Sequence, residues 1–141
     1  MKILRTKSYV LKGQPVPLAR VGQNKNMRYD TQKNLKLISS ITLQSQHNNE
    51  PLFEYYPLEL DVMFYLEIPK TRAKKVREED WHHYRADLDN LVKYICDCAN
   101  RIIFRDDSLI CSIIAKKVYS TNPRTEFTIR ELKWKPPAKS D

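Results

Sequence analysis

Apolar and polar residues alternate along this chain in two different periods, and the changes of period mark out the elements. Residues 3–11 read as a first strand with imperfect alternation. Gly13 with Pro15 and Pro17 ends that strand in a loop. The stretch from Leu18 to Tyr29 is basic and irregular, carrying Arg20, Lys25 and Arg28. A helix follows, with Asp30 or Thr31 placed to cap it, and runs to about Gln46. Leu35, Ile38, Ile41 or Thr42, and Ser45 recur at helical spacing there, and Leu37 and Leu43 widen the same face. The polar run from His47 to Pro51 closes it.

The clearest strand is Leu58 to Ile68, where Leu58, Leu60, Val62, Phe64, Leu66 and Ile68 alternate with mostly polar residues. Pro69 ends it, and residues 70–86 read as a mobile loop or short helix outside the core. Leu88 to Ile103 is the clearest helix: Leu88, Leu91, Val92, Ile95, Cys98 or Ala99, and Ile102 form one apolar stripe. Asp106-Asp107-Ser108 is a turn. Leu109–Tyr119 and Thr125–Trp134 read as two strands joined by a hairpin connection at Asn122-Pro123-Arg124. The order β-α-β-α-β-β predicts an α+β fold, a small mixed β-sheet with two main helices packed on it. Residues 1–135 form one domain in this reading, and 136–141, opened by Pro136-Pro137, a loose tail.

Length and composition agree with one globular domain. The chain has 141 residues, 41% hydrophobic and 30% charged, and its two glycines leave no room for a Gly-rich phosphate loop. No apolar run approaches the ~18 residues of a membrane span. The opening Met1-Lys-Ile-Leu-Arg lacks the apolar core of a signal peptide, so a cytoplasmic location without membrane partners is expected. Cys96 and Cys98 lie two apart in a helical pattern and face different ways, so they cannot share a zinc ion. With Cys111 in an apolar strand pattern, all three read as reduced packing residues.

Charge changes the picture more. A net charge of +8 attracts a polyanion, most often nucleic acid. Lys70, Arg72, Lys74, Lys75 and Arg77 form a tight basic run, and acidic residues gather just after it. Lys and Arg that hold phosphates, around carboxylates that hold a metal, are what a metal-dependent nuclease needs.

The candidate chemistry lies in Asp87, Asp89, Asn90, Lys93 and Asp97, then Asp106-Asp107. Asp87 precedes the first turn of the helix and Asp89 lies in it, where the helix dipole favours carboxylates. Lys93 and Asp97 follow at i+4 and i+8 on one face. Such a set could hold Mg²⁺ by two or three carboxylates and hydrolyse a phosphodiester, with Lys93 stabilising transition-state charge. Adjacent Asp106 and Asp107 diverge, so one of them joins. Each fragment also has an ordinary structural reading: Asp87 as an N-cap, Asp89–Lys93–Asp97 as a surface ladder, Asp106-Asp107-Ser108 as a turn. Spacing alone leaves both readings open.

Asp87-Leu-Asp89-Asn90-Leu91-Val-Lys93, then Asp97, then Asp106-Asp107 before a strand resembles the signature of RusA-type Holliday junction resolvases. The resemblance implies a homodimer that binds four-way junction DNA and makes paired nicks with Mg²⁺, or Mn²⁺ in its place, in recombination and repair, without an organic cofactor. It places the catalytic, metal-holding aspartates on Asp87, Asp89 and Asp107 and the essential lysine on Lys93. Asn90, Asp97 and Asp106 become supporting residues, and Arg72, Lys74, Lys75, Arg77 and Arg85 DNA contacts. A basic residue that the family often carries just before the first aspartate is Ala86 here, with Arg85 one place earlier. The resemblance also makes a phage or prophage origin plausible. His82 and His83 read as a surface pair beside Trp81. Tyr55, Tyr56, Trp81 and Tyr84 read as packing or rim residues, with stacking on unpaired bases as the alternative.

Overall fold

The computed structural model describes residues 3–19, 22–24, 27–29 and 31–134. Its main sheet has four strands in the order β1-β6-β4-β5. These are β1 (Ile3–Lys12), β4 (Leu58–Glu67), β5 (Ile110–Ser120) and β6 (Arg124–Leu132). β6 pairs antiparallel with both β1 and β4, whereas β4 and β5 run parallel. Helices α1 (Lys33–His47) and α2 (Leu88–Ala99) pack on the sheet, which confirms the α+β order read from the periodicity. Among the described residues no helix is long and apolar enough to cross a membrane.

The core forms where the α2 stripe meets the inward face of β4. Leu58, Leu60, Val62, Phe64 and Leu66 lie against Leu91, Ile95, Cys98 and Ala99, all buried. A large side chain cut back to alanine there typically costs ~2–5 kcal/mol. Phe53, Ile103 and Phe104 close the end of this core. Burial also explains the quiet cysteines, since removal from water pushes the Cys96 thiol up to about 12 and Cys98 to about 11. Cys111, expected to be packed, is exposed.

Four expectations change. The region 18–29, read as irregular, contains a small antiparallel pair, β2 (Gly22–Asn24) with β3 (Met27–Tyr29). The N-cap of α1 is Gln32, without a side-chain cap bond; Asp30 lies outside the described residues. The Gln32 amide instead clasps the loop after β1, bonding Pro17 O and Ala19 N. α2 stops at Ala99 rather than Ile103, because Asn100 is extended and Arg101 turns left-handed at φ 65°. The tail 136–141 lies outside the described residues.

The fourth change is an inversion of α1. Leu35, Leu37, Ile38 and Ile41, read as the core face, point to solvent, with Ile38 63% exposed. The inward side is Lys36, Ser39, Ser40, Leu43 and His47, of which Leu43 and His47 are buried. It docks by directional bonds. Ser39 Oγ pairs with the Tyr94 hydroxyl (3.0 Å), Ser40 Oγ donates to Cys98 O (2.8 Å), and Lys36 Nζ meets Asp97 (3.1 Å). His47 Nδ1 pairs with the Tyr9 hydroxyl at 2.7 Å. An apolar stripe identifies a helix, but it does not say which stripe a neighbour with free carbonyls and hydroxyls will select.

Candidate active site at the start of α2

Asp87 is the N-cap of α2, in extended conformation, and its carbonyl accepts from Asn90 N (3.1 Å) and Leu91 N (3.2 Å). Its carboxylate makes no capping bond. The capping role is therefore carried by the backbone, and the carboxylate stays exposed and unengaged among the described residues. Asp89, in the first turn, faces Lys93 at 4.0 Å, with both side chains largely exposed (73% and 62%). An ion pair this loose and wet contributes little to stability.

The segment before Asp87 is held from below. Lys117 on β5 donates its ammonium to the carbonyls of both Tyr84 and Ala86. No motif pointed to Lys117. The signal lies in the register: opposite inward-facing Val62, Phe64 and Leu66 of β4 stand Ala115, Lys117 and Tyr119. A lysine on that inward register needs carbonyl partners, and the segment just before α2 provides them.

The supporting residues divide clearly. Asp97 is tied to Lys36 of α1 rather than to the Asp89–Lys93 pair. Asp106 accepts from Ser108 N (2.9 Å), and that bond holds its carboxyl below the usual range. Asp107 opens the following 3-10 turn, exposed and without a partner among the described residues. Asn90 receives Leu18 N on its backbone carbonyl (2.9 Å), while its side chain makes no bond among the described residues.

The chain reversal after α2 sets where Asp107 stands. Phe53 N donates to Ile103 O and Arg105 N to Phe53 O, so the turn packs back against Phe53. This leaves Asp107 beside Cys96, whose thiol feels its charge. Cys96 lies seven residues after Asp89 on the helix, ~10 Å along its axis. Among the described residues no three His, Cys, Asp or Glu side chains converge into a metal-holding group. One chain therefore presents Asp87 and Asp89 at one end of α2 and Asp107 toward the other.

The basic run is more ordered than expected. Lys70–Arg72 forms a 3-10 turn, and the segment behind it pairs with β5 through Trp81 and Val118. Arg72 stacks on the Tyr84 ring at 3.7 Å and donates to the Tyr119 hydroxyl at 3.1 Å. With Lys75, Trp81 and His83 they line a groove of about 560 Å³. Lys74, Lys75, Arg77 and Arg85 are exposed. His82, read as a surface residue, is buried against Tyr119, and burial with nearby Lys117 lowers its pKa. His83 and Trp81 stay exposed; Tyr56 packs on Trp134 with ring centroids 5.6 Å apart, and Tyr55 is exposed.

The model of the endodeoxyribonuclease RusA family matches residues 12–130, which takes in the groove, α2 and the acidic turn. The chain belongs to the RusA family. Among its relatives is the uncharacterized protein YqaN of Bacillus subtilis, 35% identical over 95 residues, 62% of this chain and 66% of that protein. Another is the crossover junction endodeoxyribonuclease rusA of Lactococcus phage r1t, 38% identical over 77 residues, 54% of this chain and 56% of that protein. The chain thus spans somewhat under two thirds of one relative and just over half of the other.

Proposed function

We propose that this RusA-family protein is a homodimeric, Mg²⁺-dependent endonuclease that resolves four-way DNA junctions by paired nicks. The observation that carries the reading is the division among the carboxylates. Among the described residues Asp87 and Asp107 make no fold-stabilising side-chain contact, Asp89 makes only a loose one, and Asp97 and Asp106 are engaged in holding the fold. Carboxylates left free on a protein of charge +8, beside a basic groove, are poor at binding DNA alone but suited to a cation. An all-oxygen donor set fits Mg²⁺, or Mn²⁺ in its place.

Asp87 and Asp89 of one chain, with Asp107 of the partner subunit, would hold the ion. Their separation along α2 within one chain supports that assignment, and a junction with two-fold symmetry calls for two such sites. When bound, the ion supplies positive charge to a phosphoryl oxygen and makes water acidic enough to serve as nucleophile. Lys93 steadies the charge that builds on the phosphoryl oxygens. Lys74, Lys75, Arg77 and Arg85 hold flanking phosphates, and Lys117 fixes the backbone that aims Asp87. The phage source of one relative agrees with an origin on a mobile element.

Incubation with Mg²⁺ and a synthetic four-way junction, beside a linear duplex and the Asp89→Asn variant, tests the function. Selective nicking of the junction, lost in the variant while binding persists, is expected. Equal nicking of both substrates would remove junction selectivity, and binding without nicking would leave a non-catalytic binder. Mixing inactive Asp89→Asn with inactive Asp107→Asn tests the shared site. Mixed dimers then carry one intact site and should nick a single strand; no recovery would put all three aspartates in one chain.

A further inference from the structure

Trp81 is 68% exposed, yet its backbone is fixed to the sheet. Glu79 N donates to Tyr119 O (2.8 Å), Tyr119 N to Asp80 O (2.9 Å) and His82 N to Lys117 O (3.2 Å). These bonds zip the segment antiparallel onto β5 at Val118. Extended chain sends successive side chains to opposite sides. His82 turns inward and is buried, its ring 4.5 Å from that of Tyr119, while Trp81 and His83 on either side of it are exposed. A large indole is thus displayed to water by ordered backbone. Among the described residues it stacks on no other ring and carries no guanidinium.

The other planar groups of its groove are already engaged. The Arg72 guanidinium lies over the Tyr84 ring at 3.7 Å, and the ring centroids of His83 and Tyr84 are 4.4 Å apart. Asp80, the acidic residue of the lining, accepts from Arg77 N at 2.8 Å. What remains open is the indole, beside exposed Lys75, in about 560 Å³ of space. That volume lies within the ~300–1,000 Å³ of sites for small planar molecules. A ring held out among cations suits single-stranded nucleic acid, whose bases stack on the ring while the cations track the phosphates. A base inside a duplex has its faces covered by its neighbours, so the base that stacks here is an unpaired one.

We propose that this groove takes one unpaired nucleobase of the DNA, stacked on the Trp81 indole, with Lys74, Lys75 and Arg77 on the flanking phosphates. The inference rests on the endonuclease reading above and adds a requirement to it: a base outside the helix near the cut. Tyr84, in the groove lining, precedes Asp87 by three residues, so their Cα atoms are at most ~11 Å apart. A strand with its phosphate at Asp87 therefore reaches the groove within a few nucleotides. Extruding a base costs least where it is already unpaired. A branch point supplies such a base more readily than an intact duplex, and stacking selects it without reading sequence.

The test uses the Trp134→Phe protein, in which Trp81 is the remaining tryptophan. A labelled short oligothymidylate and an abasic strand with the same number of phosphates are titrated without Mg²⁺, followed by anisotropy and by indole emission. Oligothymidylate should quench the emission and bind ~5- to 150-fold tighter than the abasic strand. That ratio should persist as salt rises, since both strands make the same phosphate contacts. Trp81→Ala should bring both strands to the abasic affinity with an unchanged melting temperature, and Trp81→Phe should keep most of the difference. Tyr55→Ala, which removes an exposed ring in a separate cleft, should keep all of it. Equal affinity for the two strands, no binding of either, or a difference that survives Trp81→Ala overturns the proposal. Nicking is not involved, so the two readings fail separately. Base-dependent binding by a protein that never nicks a junction supports the groove and refutes the endonuclease; junction nicking without base-dependent binding does the reverse.

Discussion

Replacing Lys117 by methionine keeps the apolar stem and removes the ammonium that the carbonyls of Tyr84 and Ala86 share. The Ala86 bond is partly buried and the Tyr84 bond exposed. A lost charge-assisted bond costs ~1.5–3 kcal/mol where water cannot replace it, and little where it can. The two together come to about 2 kcal/mol, dominated by Ala86. For a chain of this length that lowers the melting temperature by roughly 6–8 °C. The catalytic effect should be larger, because the released segment ends at Asp87. Displacement of a reacting group by about 1 Å can cost ~10²-fold in rate. Single-turnover nicking of a four-way junction should therefore slow by about two orders of magnitude, with binding within a few-fold of the parent. Lys117→Arg should recover part of the rate. A Lys117→Met protein that melts early yet nicks at the parental rate refutes the idea that this anchor aims Asp87. One that loses binding instead shows that Lys117 contacts phosphate.

The neighbouring aspartates of the acidic turn should behave oppositely: Asp107→Asn abolishes nicking and keeps the fold, whereas Asp106→Asn lowers thermal stability modestly and keeps most activity, as melting curves and nicking assays will show. His47 and His82 are both held neutral, chiefly by burial, with folded pKa values below the unfolded one near 6.5. Their contribution to stability is complete above about pH 6.5 and is lost as pH falls through the depressed folded values. Melting temperature should therefore drop between pH 7.5 and 5.5, and His47→Gln should flatten that slope. With its thiol raised to about 12, Cys96 should resist iodoacetamide at pH 8 until the protein is unfolded, and mass spectrometry of alkylated peptides will check this.

Where burial is carried by aliphatic side chains, this fold could be read from sequence. β4 and α2 bury one face against each other, so their periods of two and 3.6 survive in the residue pattern. α1 misled because hydroxyl, amide and lysine groups hold it, and a hydropathy pattern does not register such contacts. The short pair β2–β3 is built from three-residue strands of largely polar residues, too brief for any period to show. The aspartates proposed to hold the metal were legible as a motif, and the different surroundings of Asp106 and Asp107 in part from their adjacency. Lys117 was not legible, since its partners are backbone carbonyls that any sequence would offer.

The polar docking of α1 has a mechanical consequence. Apolar helix faces slide and rotate past one another at small cost, because dispersion contacts are non-directional. Three bonds to Tyr94, Asp97 and the Cys98 carbonyl behave instead as pins spaced along one side of a shaft. α2 cannot roll about its axis without breaking them. The direction in which α2 presents Asp89 and Lys93 to solvent is therefore set from behind, by two serines and a lysine of α1.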